Sequence, residues 1–388
     1  MRIKLLIFFM LCLHMTSRAE RDSSALRISL LTCTPGAELY SIFGHNALRI
    51  VDSAAGTDVV YNYGTFDFSD PDFYTKFVRG KLMYFLSQSS YQDFLFEYSY
   101  FKRGVIEQVL KLSAKEKKEW QQFMFENVRE ENRYYKYDFL YDNCTTRLRD
   151  ILFRKNTEHP LQPKVFTTYG RTFRDHLHGY LDRAEMPWTK LGIDLLFGVA
   201  ADKPMDAMDA MFLPDYLAKG ASLGTFNGKK LIQEESIALA DAQPAVRETP
   251  FWQSPLFVFF LVAVIGLMPS FFGQSRGQIL ADHFLFILTG FLGCVLLFMW
   301  VGTDHQSFSK NLNLLWAMPF NLVLAFVKNK NAFFVRKYLR LYSLLIIVLM
   351  AITLIYTGMI NYSLYPLLAL LSYRSWMLSR ADKKMLKP

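Results

Sequence analysis

Residues Tyr137–Lys155 read YDFLYDNCTTRLRDILFRK, and this run sets a cysteine where a helix is due to begin. Leu148, Ile151 and Leu152 recur at helical spacing and form the apolar face of that helix. Asp142 or Asn143 can cap it, so Cys144 falls at or near its first turn. There the positive end of the helix dipole and the free backbone N–H groups favour thiolate over thiol. The same N–H groups can hold the oxyanion of a tetrahedral intermediate. Cys144 is therefore a candidate nucleophile, and it needs a base.

Upstream, alternating apolar residues predict strands at Leu26–Cys33, His45–Asp52 and Asp58–Tyr63, the last two joined by a turn over Ser53–Thr57. Asp70–Lys81 and Tyr91–Tyr98 read as helical or irregular, and Gly104–Leu112 as another strand. Ser113 with Glu116 three residues on is a capping box, opening a helix to about Asn132. Four histidines lie between the N-terminal leader and the apolar runs: His45, His159, His176 and His178. His45 opens a strand after a glycine, where its ring can face a cleft beside a helix N-terminus. The other three lie in a polar, proline-containing stretch and read as surface groups. The tyrosine-rich run Tyr134–Tyr141 reads as core and interface wall.

The chain has 388 residues, 52% hydrophobic and 20% charged, a mixture that suggests a polar part and a membrane part in one polypeptide. Residues 1–19 carry a basic start, a short apolar stretch and small residues, the pattern of a secretory signal peptide. Residues 20–250 are mixed and polar, as expected of an exported domain. Residues 251–388 hold apolar runs at Leu256–Phe272, Ile279–Val301, Leu312–Val327, Leu341–Ile360 and Ser363–Met377. Five crossings that start outside put eleven Lys and Arg on the cytoplasmic side and only Lys310 in the outer loops. The C-terminus is then cytoplasmic. The third and fifth runs are short, so re-entrant segments are an alternative for them. The net charge of +9 is thus a topology signal, and nucleic acid drops out as a partner.

Of four cysteines, Cys12 belongs to the leader and Cys294 to an apolar run, which leaves Cys33 and Cys144 for the exported domain. In an oxidising compartment these two could simply pair. Neither an HExxH, a CxxC nor a glycine-rich phosphate loop occurs, so neither metal nor nucleotide cofactor is expected.

The order of a strand histidine in FGHNALRI, then VVYNYG on the next strand, then NC at a later helix, resembles the permuted papain-like folds. These include the NlpC-type peptidases and the lecithin:retinol acyltransferase relatives. More specifically, LLTCTPGAELYSIFGHNALRI, VVYNYGTFDF and YDNCTTRLRDIL closely resemble the exported domain of the Lnb-type lipoprotein N-acyltransferases, over roughly Leu26 to Leu217. The resemblance implies an α+β, permuted papain-like exported domain followed by an all-α multi-pass domain in the bacterial inner membrane, with catalysis on the periplasmic face. It implies transfer of an acyl chain from the diacylglyceryl group of a lipoprotein to the amine of its own N-terminal cysteine, leaving a lyso-form lipoprotein. Carried onto this chain, Cys144 takes the acyl group as a thioester, His45 is the base and Asn62 orients the imidazole. Asp52, Tyr61, Tyr63 and Asp67 lie in the same neighbourhood as Asn62. The expected partners are diacylated lipoproteins and membrane lipid, with no obligate protein partner.

Asp304 and His305 at the outer end of the second apolar run, with Asn311 and Asn313 entering the third, would sit beneath the exported domain. Groups at a helix end are usually interface residues, but a lipid headgroup must be held at this level. Asp304, His305 and Asn313 are therefore candidate substrate contacts, together with Asn143 beside the nucleophile. The segment Arg171–Leu217 is expected to cover the cleft, within a stretch of helices and loops over Ile151–Thr249. Two rival readings use the same residues. One is a membrane-anchored papain-like cysteine hydrolase acting on cell-wall peptides; the other is a sensor that has lost catalysis.

Overall fold

The computed structural model describes residues 25–153, 171–226, 229–272, 275–327, 332–355 and 360–380. The expected signal peptide and His159 lie outside them. The N-terminal part is a mixed α/β domain around an antiparallel sheet. Its strands are β1 Leu26–Cys33, β2 His45–Asp52, β3 Thr57–Thr65, β4 Met83–Ser90, β5 Val105–Leu110, β6 Tyr134–Lys136 and β7 Ile232–Leu239. They run in the order β6-β4-β3-β2-β1-β5-β7. Helices α1 Phe73–Val78, α2 Tyr91–Tyr100, α3 Ala114–Asn127, α4 Cys144–Phe153, α5 Phe173–Arg183, α6 Pro187–Leu196 and α7 Pro214–Leu223 complete it.

The central strand β1 (LRISLLTC) is buried at nearly every position, because helices cover both faces of the sheet. On one face Ile28, Leu30, Leu48 and Ile50 pack with Met124 of α3 and Leu148, Ile151 and Leu152 of α4. On the other, Leu31, Cys33, Ala47 and Val60 pack against Phe94 and Tyr98 of α2. The antiparallel register sets Cys33 opposite His45, at the end of the sheet where α4 begins. Ser113 and Glu116 form the expected capping box on α3. Strand β7 was not expected: its IQEESIAL pattern is mostly polar because it is an edge strand, paired only with β5 and exposed over most of its length.

The C-terminal part is helical: α8 Pro255–Phe271, α9 Ser275–Val301, α10 Phe320–Phe326, α11 Phe333–Ile355 and α12 Tyr365–Arg380. Residues Arg276–Val301 and Phe333–Ile355 are long and apolar enough to cross a membrane, and less than half of each is buried in the protein. Apolar side chains turned outward on such helices face lipid. The third apolar run is not one helix. It consists of a 3-10 turn, Leu312–Leu315, and the short α10. Polar side chains from inside the bundle meet at this break, one of them on a freed backbone carbonyl, as apolar surroundings require. Asn321 donates to Thr289 Oγ1 (3.1 Å) and Tyr342 Oη (2.7 Å), and Tyr342 donates to the Trp316 carbonyl. Gly290 and Gly293 on α9 let the broken segment approach, since a Cβ at either would strike its backbone. Arg374 of α12 forms a buried two-pronged pair with Asp282 of α9 (2.7 and 3.0 Å) and also donates to Ser270.

Candidate active site

The choice of cap for α4 resolves to Asn143. Its Oδ1 accepts from the backbone N–H of Thr145 and of Thr146, each at 2.8 Å. Its Nδ2 donates to the carbonyls of Phe139 (2.8 Å) and Phe212 (3.0 Å). Asp142 turns instead to Arg147 at 2.6 Å. Cys144 is thereby fixed as the first residue of the helix. Helix α4 is tied to the sheet by Asn46, a buried residue of β2. Asn46 Oδ1 accepts from Thr145 Oγ1 (3.0 Å), and Nδ2 donates to Thr32 Oγ1 (2.9 Å) on β1. Sequence reasoning missed Asn46; the available signal was an amide on the face of the strand that also carries Leu48 and Ile50.

His45, the first residue of β2, hydrogen-bonds Asn62 of β3, with Nε2 and Oδ1 3.3 Å apart. The ring also lies beside Cys144, close enough for each to shift the other's ionisation. Burial pushes the Cys144 thiol up, but the adjacent His45 and hydrogen bonds from His45 and the Asn46 backbone outweigh it, bringing the thiol down to about 7. Burial pushes His45 down, yet the neighbouring sulfur and the bond to Asn62 leave it above its ordinary value. Both shifts favour the thiolate–imidazolium form of the pair. Cys33 is buried and unpaired, and burial drives its thiol up to about 12. The alternative Cys33–Cys144 disulfide is not formed.

The sulfur faces a cavity of about 520 Å³, lined almost wholly by apolar side chains. Gly64 lies against the nucleophile, in a backbone conformation that favours glycine. It sits at a bulge in the β3–β4 pairing with φ +91°, and a Cβ there would lie 3.4 Å from Cys144 Cβ. Phe66, Phe73, Phe77 and Tyr84 form one wall, and Phe43, Phe139, Phe197 and Leu213 another. The expectation that Arg171–Leu217 covers the cleft agrees with the walls supplied by Ile193, Leu196, Phe197, Phe212 and Leu213.

The structure brings Cys144, His45 and Asn62 together and puts Asn143 beneath them. It places Asp304, His305 and Asn313 at the junction of the two parts. Asp304 Oδ2 accepts from Lys136 Nζ (2.9 Å), and its N–H donates to the Arg79 carbonyl (2.9 Å). His305 lines the cavity and bonds through Nε2 to the Phe77 carbonyl (3.0 Å). Asn313 is buried away from the cavity, donating to the Asp194 carbonyl (2.9 Å) and accepting from Trp316 Nε1 (2.9 Å). Asp194 is a hub of the same junction. Its carboxylate accepts from Arg174 (2.9 Å) and Asn361 (2.8 Å), and lies 2.7 Å from His178 Nε2. The expectation that His176 and His178 are surface groups is therefore corrected. Helix α5 buries Phe173, Arg174, His176 and Leu177 on one side, so His176 enters the interior and His178 is held at the junction. Among the described residues no group of three or more His, Cys, Asp or Glu is arranged to hold a metal ion.

Residues 15–174 match the family model of the Lnb N-terminal periplasmic domain, and residues 247–385 match that of the Lnb transmembrane domain. The chain belongs to the Lnb-type family. The first match contains Cys144, His45 and Asn62, and the second contains Asp304, His305 and Asn313. This Lnb-type chain is accordingly a membrane protein with a periplasmic domain. No curated protein and no solved structure matches it.

Proposed function

We propose that this Lnb-type protein is a cysteine-dependent transacylase that moves an acyl chain from the diacylglyceryl group of a lipoprotein to the amine of the lipoprotein's N-terminal cysteine. Family membership supports lipoprotein processing at a membrane. The observation that carries the specific reaction is a thiol brought down to about 7, beside an imidazole, on the wall of an apolar cavity that reaches the membrane part.

The chemistry closes on itself. The Cys144 thiolate attacks the ester carbonyl; a C–S bond forms and the C–O bond breaks. The glyceryl oxygen leaves with the proton of the His45 imidazolium. The α-amine then attacks the thioester; a C–N bond forms, the C–S bond breaks, and the amine proton returns to His45. Thiolate and imidazolium are regenerated, and the acyl group has moved from oxygen to nitrogen. The positive end of the α4 dipole stabilises each oxyanion. Apolar walls keep water from the thioester until the amine arrives, which favours transfer over hydrolysis.

The strand histidine, next-strand asparagine and helix-opening cysteine support a permuted papain-like arrangement for residues 20–250. For residues 251–388 we read five crossings of the inner membrane, the third broken, with the C-terminus cytoplasmic. The charge asymmetry of the connecting segments supports that orientation.

The test is expression of the protein and its Cys144→Ala form in cells lacking other lipoprotein N-acylation, with mass spectrometry of N-terminal lipopeptides as the readout. An N-acyl, monoacylglyceryl species that depends on Cys144 is expected. Diacylglyceryl peptides unchanged in both strains would refute the transfer and turn attention to hydrolysis of cell-wall peptides.

A further inference from the structure

The cavity extends well beyond the reacting atoms. A file of aromatic rings leads away from the segment that carries His45. Phe43 meets Phe139 at 5.0 Å, Phe139 meets Phe197 at 6.2 Å, and Phe197 meets Phe308 at 5.5 Å. Phe308 belongs to the 3-10 turn just after α9, so the file ends at the membrane part. Ile193 and Leu196 of α6 line the same cavity.

That far wall is fixed from behind. Asp194, between Ile193 and Leu196, is held by Arg174, His178 and Asn361. The N–H of Gly198 donates to the Ser307 carbonyl at 2.9 Å, joining the end of α6 to the turn that carries Phe308. A wall braced in this way has a set position and can measure what lies against it.

Along the aromatic file the cavity is lined almost wholly by apolar side chains, which suits a fatty acyl chain lying beside the rings.

We propose that the wall formed by Ile193, Leu196 and Phe308 sets the acyl-chain length this protein accepts, with a single fatty acyl chain lying in the cavity as its Cys144 thioester. The assignment rests on the transacylase function and adds to it the acyl site and its limit. The second chain of a diacylglyceryl donor stays in the bilayer.

The experiment uses the full-length protein in lipid nanodiscs with an equimolar mixture of synthetic diacylglyceryl lipopeptides bearing dodecanoyl to eicosanoyl esters. Intact-mass spectrometry reads the adduct on Cys144, and the product lipopeptides are read in parallel. The wild type is expected to favour one chain length and to discriminate at least severalfold against eicosanoyl. Ile193→Trp and Leu196→Trp are expected to shift the preferred chain down by two or more carbons, and Phe308→Ala to shift it up. If the tryptophan variants do not fold, Phe308→Ala carries the test alone. Acylation with one unchanged length profile in the wild type and every folded variant overturns the length assignment and leaves the transacylase standing. No adduct and no N-acylated product from the wild type overturns the transacylase function, and the length assignment with it.

Discussion

Replacing Asn62 by alanine tests the proposed ion pair without touching either reacting group. Asn62 Oδ1 lies 3.3 Å from His45 Nε2, a long bond between partly buried groups. A hydrogen bond to a charged partner is worth about 1.5–3 kcal/mol, and this length argues for the lower end. One pKa unit corresponds to about 1.4 kcal/mol. Losing the bond disfavours imidazolium and, through it, thiolate, so Cys144 should rise from about 7 by about one unit. At pH 7 the thiolate fraction then falls from about half to about one-tenth, roughly fivefold. The loss should shrink as pH rises, because both forms are fully ionised well above the shifted value. The assay is alkylation by iodoacetamide across pH, read at the Cys144 peptide so that Cys33 and Cys294 do not interfere. His45→Ala is the reference, with a midpoint moved further upward because only the hydrogen bonds from the Asn46 backbone and Thr145 then oppose burial. A profile in Asn62→Ala superimposable on the wild type would refute the claim that Asn62 holds the pair. A loss that persists undiminished at high pH would instead mean that orientation, and not charge, is what Asn62 supplies.

Other expectations come from the packing. Thioester formation in the wild type should rise with pH through about 7 as Cys144 ionises, measured as the initial rate of adduct formation at fixed substrate. Gly64→Ala should cost about 1–2 kcal/mol from its left-handed backbone, seen as a lowered thermal unfolding temperature. Asp194→Ala leaves Arg174 its pair with Asp202 but takes the acceptor from Asn361, and should destabilise the protein by about 1–3 kcal/mol, seen as a lowered unfolding temperature. Arg374→Met should cost more, about 3–5 kcal/mol, because it strands the buried Asp282, whereas Arg374→Met with Asp282→Leu should recover most of the loss. A double variant no better than the single one would contradict that account.

Much of the site is legible in the chain because its signals are local. A polar cap before Cys144, the alternation of HNALRIVD and the Ser113–Glu116 box are each set by neighbours a few residues away. The features that escaped depend on distant partners. Whether Asp142 or Asn143 caps α4 depends on Phe212, which offers a carbonyl to one of them. His176 and His178 look solvated in sequence, yet α5 buries one face against the interior. Strand β7 carries no apolar alternation because only its backbone is needed at the edge of the sheet. The third apolar run looks like a short helix until the Asn321–Tyr342 contacts show how a break can be tolerated.

The two clamps at the junction have a consequence for geometry. Lys136–Asp304 and His305–Phe77 fasten one flank of the periplasmic domain, and the Asp194 hub fastens the other. Held at both flanks, the domain keeps the sulfur at a constant altitude above the lipid-facing helices. An ester anchored at the bilayer surface is then presented at that altitude by its own chains, and the search for it is confined to a plane. An ester free in the periplasm must find the same opening in three dimensions with no such guide. In the proposed reaction, selection for lipidated substrates thus resides in where the sulfur is stationed as well as in the shape of the cavity around it.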